Sequence, residues 1–409
     1  MTAAAEDKRI HSDVLATADF FLSWEKNGVR HTDGYHAPRV NFWRDILPDE
    51  MRSRLEGART GDRVECTIPA DRMLPRNFKG GIHRVHRRNL GKTLPDGRPF
   101  DPRIGRFYPQ GLLRGVSGVF RGNLAPFRCL DMDQTTILTD VTHPLAGVDL
   151  LFSAHVHDVR DKFEEHGGTS IDWFETVASG PGMQARASGR PTDFFHDGAF
   201  VRPDPTKDSR FYHSPRMVPH IDDTAARLLR SLYGDLLTGR ERVLDLMASW
   251  DSHLPEGLSL QRMEGLGMNR VELGANPRLD AFTVHDLNED TRLPYDSGRF
   301  DAVICSLSVE YLVRPMEVVA DVRRVLRPGG LFALAFSDRW FPPKAIGLWP
   351  DLHPFERMGF VLELLLRDGG FGRMESFSIQ GYPRPEGDKY AHQRVASDPV
   401  FAVWGITPE

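Results

Sequence analysis

Arg242-Val243-Leu244-Asp245-Leu246-Met247 is a short, largely apolar run that stops in the polar turn Ala248-Ser249-Trp250-Asp251-Ser252-His253. A run of this length between turn formers reads as a buried strand, since a helix needs ten residues or more. Similar runs follow at 261–266, 279–284, 300–306 and 331–336. Helical spacing lies around and between them. Residues 222–237 place Ala226, Leu229, Leu232 and Leu236 on one face, and 315–326 form a second helix that stops at Arg327-Pro328-Gly329-Gly330. A further helix at 354–367 and strands at 374–379 and 400–405 close the chain. Apolar strands separated by crossover helices predict an α/β fold, a mainly parallel sheet covered on both faces.

Upstream the pattern changes. Residues 14–160 alternate short apolar runs with turn signals, which predicts an antiparallel β domain. Val64-Glu65-Cys66-Thr67-Ile68-Pro69 and the run from Leu150 to Val159 are its clearest strands. Between them, 72–128 carries thirteen Lys or Arg against Asp96 and Asp101, so the net charge of −5 conceals a basic insert and an acidic remainder. The basic residues are interleaved with Gly and Pro and are not displayed on one helical face, which argues against nucleic acid. An internal contact with the acidic half is the expectation. Residues 161–210 are polar and rich in turn formers, and they read as the connection between the two halves.

A 40% hydrophobic content in 409 residues excludes a disordered chain. No apolar run approaches the ~18 residues of a membrane span. The N-terminus lacks a basic and an apolar region, so no secretion signal is expected. Cys66, Cys129 and Cys305 are odd in number and far apart, which is no disulfide framework. A cytoplasmic location is the expectation.

Three motifs in order, Val243-Leu244-Asp245-Leu246, Leu293-Pro294-Tyr295 before Phe300-Asp301-Ala302-Val303, and Arg324-Val325-Leu326-Arg327-Pro328-Gly329-Gly330, resemble a class I S-adenosylmethionine (SAM)-dependent methyltransferase. The resemblance covers 211–409 and implies a Rossmann-like domain with SAM bound beyond the carboxyl ends of its strands. Two departures stand out. The turn after the first strand lacks the family's glycines, and Gly267 in Gly265-Leu266-Gly267-Met268-Asn269 falls where the family places an acid. The turn is similar to the D-L-x-x-S-W-x-S-H-x-P and G-L-G-M-N pattern of a methyltransferase-like subgroup. The implied cofactor contacts are Tyr212, Arg216, Asp245, Ser249, Gly267, Met268, Asn269, Asp286, Leu287 and Ser306. Ser249 and Asn269 stand in for the missing groups, Asp286 takes the adenine side, and Arg216 pairs with the SAM carboxylate.

Tyr311, Arg339, Trp340 and Lys344 are the acceptor-pocket candidates, with Glu310 beside them. No general base is identified, and a soft thiol or sulfide needs the least help, so S-methylation of a small molecule is expected. Residues 1–160 resemble FKBP-type prolyl isomerases of the SlyD-like branch, through the stretch 55–69 and His143-Pro144-Leu145-Ala146-Gly147-Val148-Asp149-Leu150 with its strand. That implies a flap insert at 72–128 and a proline pocket to which Phe20, Phe42 and Phe152 could contribute. The alternative function is therefore a peptide-binding protein, prolyl isomerase or chaperone with a non-catalytic SAM fold. His83-x-x-His86 and His155-x-His157 have no cysteine near them, and no metal is assigned.

Overall fold

The computed structural model describes every residue except 1–7, 71, 73–80, 96, 163–166, 181 and 183. The N-terminal segment read for a secretion signal, Asp96 and part of the basic stretch thus lie outside the described residues. The chain opens on two long strands, β1 (Val14–Lys26) and β2 (Val29–Asn41). They are joined by Asn27 and Gly28, both with positive φ (54° and 75°). Such a pair gives the two-residue turn whose twist matches that of an antiparallel hairpin. Then come α1 (Asp49–Leu55), β3 (Arg63–Ile68), β4 (Ile82–His86), β5 (Phe107–Pro109), β6 (Pro126–Met132), β7 (Thr136–Asp140) and β8 (Leu150–Asp161).

Two short helices, α2 (Trp173–Ala178) and α3 (Asp208–Phe211), lie in the connecting segment. The second half runs α4 (Asp223–Leu237), β9 (Arg242–Leu246), β10 (Arg262–Gly267), α5 (Arg270–Ala275), β11 (Ala281–Val284), β12 (Phe300–Ser306), α6 (Pro315–Val325), β13 (Leu326–Phe336), α7 (Pro354–Asp368), β14 (Met374–Gln380) and β15 (Val400–Ile406).

Eleven of the described strands form one mixed sheet, in the order β11-β10-β9-β12-β13-β15-β14-β2-β1-β8-β3. The first five are parallel to one another, as expected of a crossover-connected α/β unit. β15 then runs antiparallel to β13, β14 antiparallel to β15, and β14 pairs in parallel with β2 from Met374 opposite Val29 to Gln380 opposite Tyr35. The antiparallel strands of the first half thus extend the sheet of the second. Their cores mix as well. Phe355 of α7 packs into the N-terminal core, and Val29 of β2 packs into the C-terminal one. The connecting segment is buried against both halves: Trp173 and Phe174 join the first core, Phe194 and Ala199 the second.

The insert reaches beyond residue 128: with β6 and β7 it forms a separate four-stranded sheet, β4-β7-β6-β5, around Phe127, Cys129 and Ile137. Several of its described arginines face acids elsewhere in the chain. Arg106 Nε and Nη2 bond Glu356 of α7 at 2.6 and 3.4 Å, Arg103 reaches Asp193 at 3.4 Å, and Arg98 pairs with Asp351. Phe20, Phe42 and Phe152 do not form an open proline pocket. All three are buried in the N-terminal core, where Phe20 stacks on Phe152 with ring centres 5.6 Å apart. Apolar rings on the covered face of a sheet are spent on packing. Among the described residues no helix is long and apolar enough to cross a membrane.

Candidate functional site

A cavity of about 260 Å³ opens beyond the carboxyl ends of β9, β10, β11 and β12. The strand order changes direction between β9 and β12, and this is where open parallel sheets bind ligands. Three residues of its wall hold a left-handed backbone without being glycine: Met247 after β9 (φ 59°), His253 in the turn that follows (φ 53°) and Leu307 after β12 (φ 54°). Such conformations are costly for these side chains and cluster at functional sites. Met247 takes the bend that a glycine would otherwise make.

Ten residues carried the cofactor expectation, and all ten line this cavity. They do different things there. Asp245 at the end of β9 is buried, and burial pushes its carboxyl up to about 7 despite a hydrogen bond with Ser252. Gly267 ends β10 under the β9 turn, where a Cβ would stand 2.2 Å from the Ala248 carbonyl oxygen. Glycine is therefore required there by the chain's own close approach. Asn269 is engaged on all sides. Its Oδ1 accepts from Val271 and Glu272 N–H at the start of α5, and its Nδ2 donates to the carbonyls of Tyr212 and His213. It fixes the Tyr212–His213 segment over the cavity as a scaffold group. Ser249 Oγ donates to Glu272 Oε2 at 2.7 Å, and Glu272 Oε1 accepts from Arg216 N–H at 2.6 Å. Glu272 was not singled out in the sequence; its signal was its place three residues after Asn269, as in a capped first turn.

Three polar atoms at this site are buried without a hydrogen-bond partner: Asp286 Oδ2, Arg216 Nη1 and His253 Nδ1, the last 3.3 Å from an Asp251 carboxylate oxygen. Asp286 Oδ1 already accepts the Asn288 N–H, and burial raises the carboxyl above its usual range. The Arg216 guanidinium lies over Phe211, 4.4 Å from the ring centre, and Nη2 donates to the Phe211 carbonyl. Leu287 is buried behind Asp286. Ser306 Oγ shares a 2.7 Å hydrogen bond with Tyr233 Oη.

Of the acceptor candidates, Tyr311, Arg339 and Trp340 line the cavity. Tyr311 Oη accepts the Phe341 N–H at 2.8 Å, and Arg339 lies over Tyr390, 4.5 Å from its ring centre. Lys344 is not in the wall. It is fully buried, with Nζ 3.2 Å from Asp204, 3.3 Å from Asp208 and 2.5 Å from the Thr206 carbonyl. A buried ammonium needs such partners, and these come from the connecting segment. Glu310, also buried, lies outside the wall; burial pushes it up to about 7. Sequence reasoning did not single out His253, Lys389 or Tyr390 for the site, yet all three line it, as does His220. His220 lies 5.7 Å from Phe341 ring to ring, and burial lowers its pKa.

A SAM-sized donor fits these groups. The unpaired Asp286 oxygen offers an acceptor to hydroxyl or amino hydrogens, the free Arg216 nitrogen offers a charged donor to a carboxylate, and Met247 and Leu287 supply apolar walls. Residues 271–334 match the family model of a methyltransferase domain. Demethylmenaquinone methyltransferase of Renibacterium salmoninarum is 31% identical over 109 residues, which are 25% of this chain and 44% of that protein. The 27-O-demethylrifamycin SV methyltransferase of Amycolatopsis mediterranei is 25% identical over 193 residues, 42% of this chain and 70% of its own. A SAM-dependent methyltransferase from Aquifex aeolicus, known as a crystal structure, overlaps 46% of this chain and 94% of its own at 15% identity and a TM-score of 0.31. The chain spans less than half the length of the first of these relatives. The match to a methyltransferase domain runs from α5 to β13 and takes in the strand β12 that borders the cavity.

Proposed function

We propose that the protein is a SAM-dependent methyltransferase acting on a small, planar acceptor. The observation that carries this is the pair of unpartnered buried groups, Asp286 Oδ2 and Arg216 Nη1, in a cavity at the switch point of the sheet. A buried polar atom without a partner is costly, so a ligand that satisfies both is favoured. SAM, when bound, supplies a methyl group on a positively charged sulfur. The chain's residues do the rest. Asp286 accepts hydrogen bonds from one end of the cofactor and Arg216 pairs with the carboxylate at the other. Trp340, Phe341, Tyr311 and Tyr390 exclude water and stack a flat acceptor.

The preference for a thiol or sulfide rested on the lack of a base. His220 in the cavity wall offers an imidazole nitrogen for that role, kept in its uncharged form by burial. The relatives' names, a demethylmenaquinone methyltransferase and a 27-O-demethylrifamycin SV methyltransferase, name oxygen-bearing small molecules and no thiol. Thiols remain an arm of the test. For residues 1–160 we read the FKBP/SlyD-like module as structural, because its candidate rings are core and its strands continue the methyltransferase sheet. The whole is read as an intracellular enzyme.

Calorimetry with SAM tests the site. The wild type is expected to bind, and Asp286→Ala to bind about 10-fold to 100-fold more weakly, the loss of a hydrogen bond to a charged group. No binding at millimolar SAM, or an unchanged affinity in the variant, overturns the assignment. Labelled SAM with phenols, quinols and thiols then decides the acceptor class. Transfer to thiols alone would restore S-methylation.

A further inference from the structure

Outside the cavity, three neighbouring strands of the N-terminal half bring two imidazoles onto one carboxylate. Asp19 of β1 and His36 of β2 are direct cross-strand partners and so share a face of the sheet. On the other side β8 carries a bulge. Thr17 pairs with Asp158 and Ala18 with Val156, which leaves His157 as the extra residue. A bulge of this kind re-aims a side chain. Here it brings His157 to the same carboxylate: His36 Nδ1 is 2.6 Å from Asp19 Oδ1, and His157 Nε2 is 2.7 Å from Asp19 Oδ2. The three ligating atoms lie within 4.8 Å of one another.

From this geometry we infer that Asp19, His36 and His157 form a binding site for a divalent transition-metal ion of the zinc class. Two imidazoles and one carboxylate are a borderline donor set, suited to zinc and its neighbours and unsuited to calcium or magnesium, which take oxygen ligands. A surrounding shell is in place. Tyr382 of the second half donates to Asp19 Oδ2 at 2.7 Å and stacks on His36 with ring centres 4.0 Å apart. Such outer partners hold ligands in orientation. Asp19 and His36 are buried, whereas His157 is one-third exposed, so the ion enters past His157. His155, opposite Asp19 and 4.4 Å from His157 ring to ring, stands beside that entrance. On binding, each ring carries its proton on the nitrogen away from the metal. The site is built from residues separate from the methyltransferase cavity, and it does not depend on that reading.

The test is titration of the chelator-stripped full-length protein with zinc chloride against a competing chromophoric chelator, repeated with cobalt(II) for its visible absorption. One equivalent of zinc is expected in the wild type. His157→Ala, the most exposed ligand, should weaken it at least about 100-fold, and Tyr382→Phe about 10-fold. Circular dichroism and thermal unfolding of the same variants check that the fold is intact. Failure of the wild type to hold zinc at 10-fold molar excess overturns the proposal. So does a His157→Ala protein that folds and holds zinc as the wild type does.

Discussion

The Asp33 carboxyl in β2 has no access to solvent, and its partners come from distant stretches of the chain. Gly182 N–H donates to both oxygens at 3.0 Å, and the Ser378 hydroxyl of β14 donates at 2.5 Å. Burial outweighs those bonds and pushes the pKa up from 3.8 to about 7. The sign of the consequence is fixed. Between pH 3.8 and about 7 the folded chain holds a proton that the unfolded chain releases, so this group lowers stability as pH rises through that window. Asp33→Asn removes the titration. Its stability relative to wild type should improve by about 1 kcal/mol per pH unit across the window and level off above it. Denaturant unfolding of both proteins at several pH values measures this, and a constant difference would refute it. Comparison with wild type cancels the other buried carboxyls, Asp245 and Glu310, which titrate in the same range.

Residues differ in how well a sequence reveals them. Asp286 was legible because a strand-end loop acid has a fixed place in the motif order. Lys344 was not, since its acids Asp204 and Asp208 lie well over a hundred positions away and nothing local signals the pairing. His220 stood in plain view but gains meaning only when Phe341 packs beside it.

At the scale of elements, local periodicity served the second half well. The strands and the three longer helices from 222 onward were readable because apolar spacing reports burial directly, whereas the short α5 was not. The Asn27-Gly28 turn was an unused hairpin signal of equal strength. What local pattern cannot supply is docking, and α7 shows why. Glu356 stands in its first turn and accepts the His353 N–H at 3.2 Å, an ordinary capping role. It also accepts from Arg106 Nε at 2.6 Å and Phe107 N–H at 3.0 Å, which ties the basic insert to this helix. Both charges are buried. Glu356→Ala strands the guanidinium and should cost about 3–5 kcal/mol of stability. Thermal and denaturant unfolding would show it, whereas a loss below about 1 kcal/mol would mean that water reaches Arg106 readily. Pairing the change with Arg106→Met should recover part of the loss, because no charge is then left buried alone.

For the whole molecule, the decisive contact is the parallel pairing of β2 with β14, which joins the two halves in one sheet. Sequence patterns reveal strands but not their partners, so the joining of the two stretches in one sheet was not legible. The fusion has an energetic content. Ser376 and Ser378 of β14 are buried, and their hydroxyls meet His31 Nδ1 at 2.7 Å and Asp33 Oδ1 at 2.5 Å across the seam. Without residues 1–160, β14 becomes an open edge with those hydroxyls unpaired, and α7 exposes Phe355. An uncovered edge and new apolar surface favour aggregation. A fragment of residues 211–409 also lacks Phe194 and Ala199 from its core. It should therefore give no cooperative unfolding transition and bind SAM at least about 10-fold more weakly than the full chain, as a loosened core would no longer hold Asp286 and Arg216 in place. A soluble fragment that unfolds cooperatively and binds SAM with full affinity would show that the seam is dispensable, and the N-terminal half would then need a role of its own.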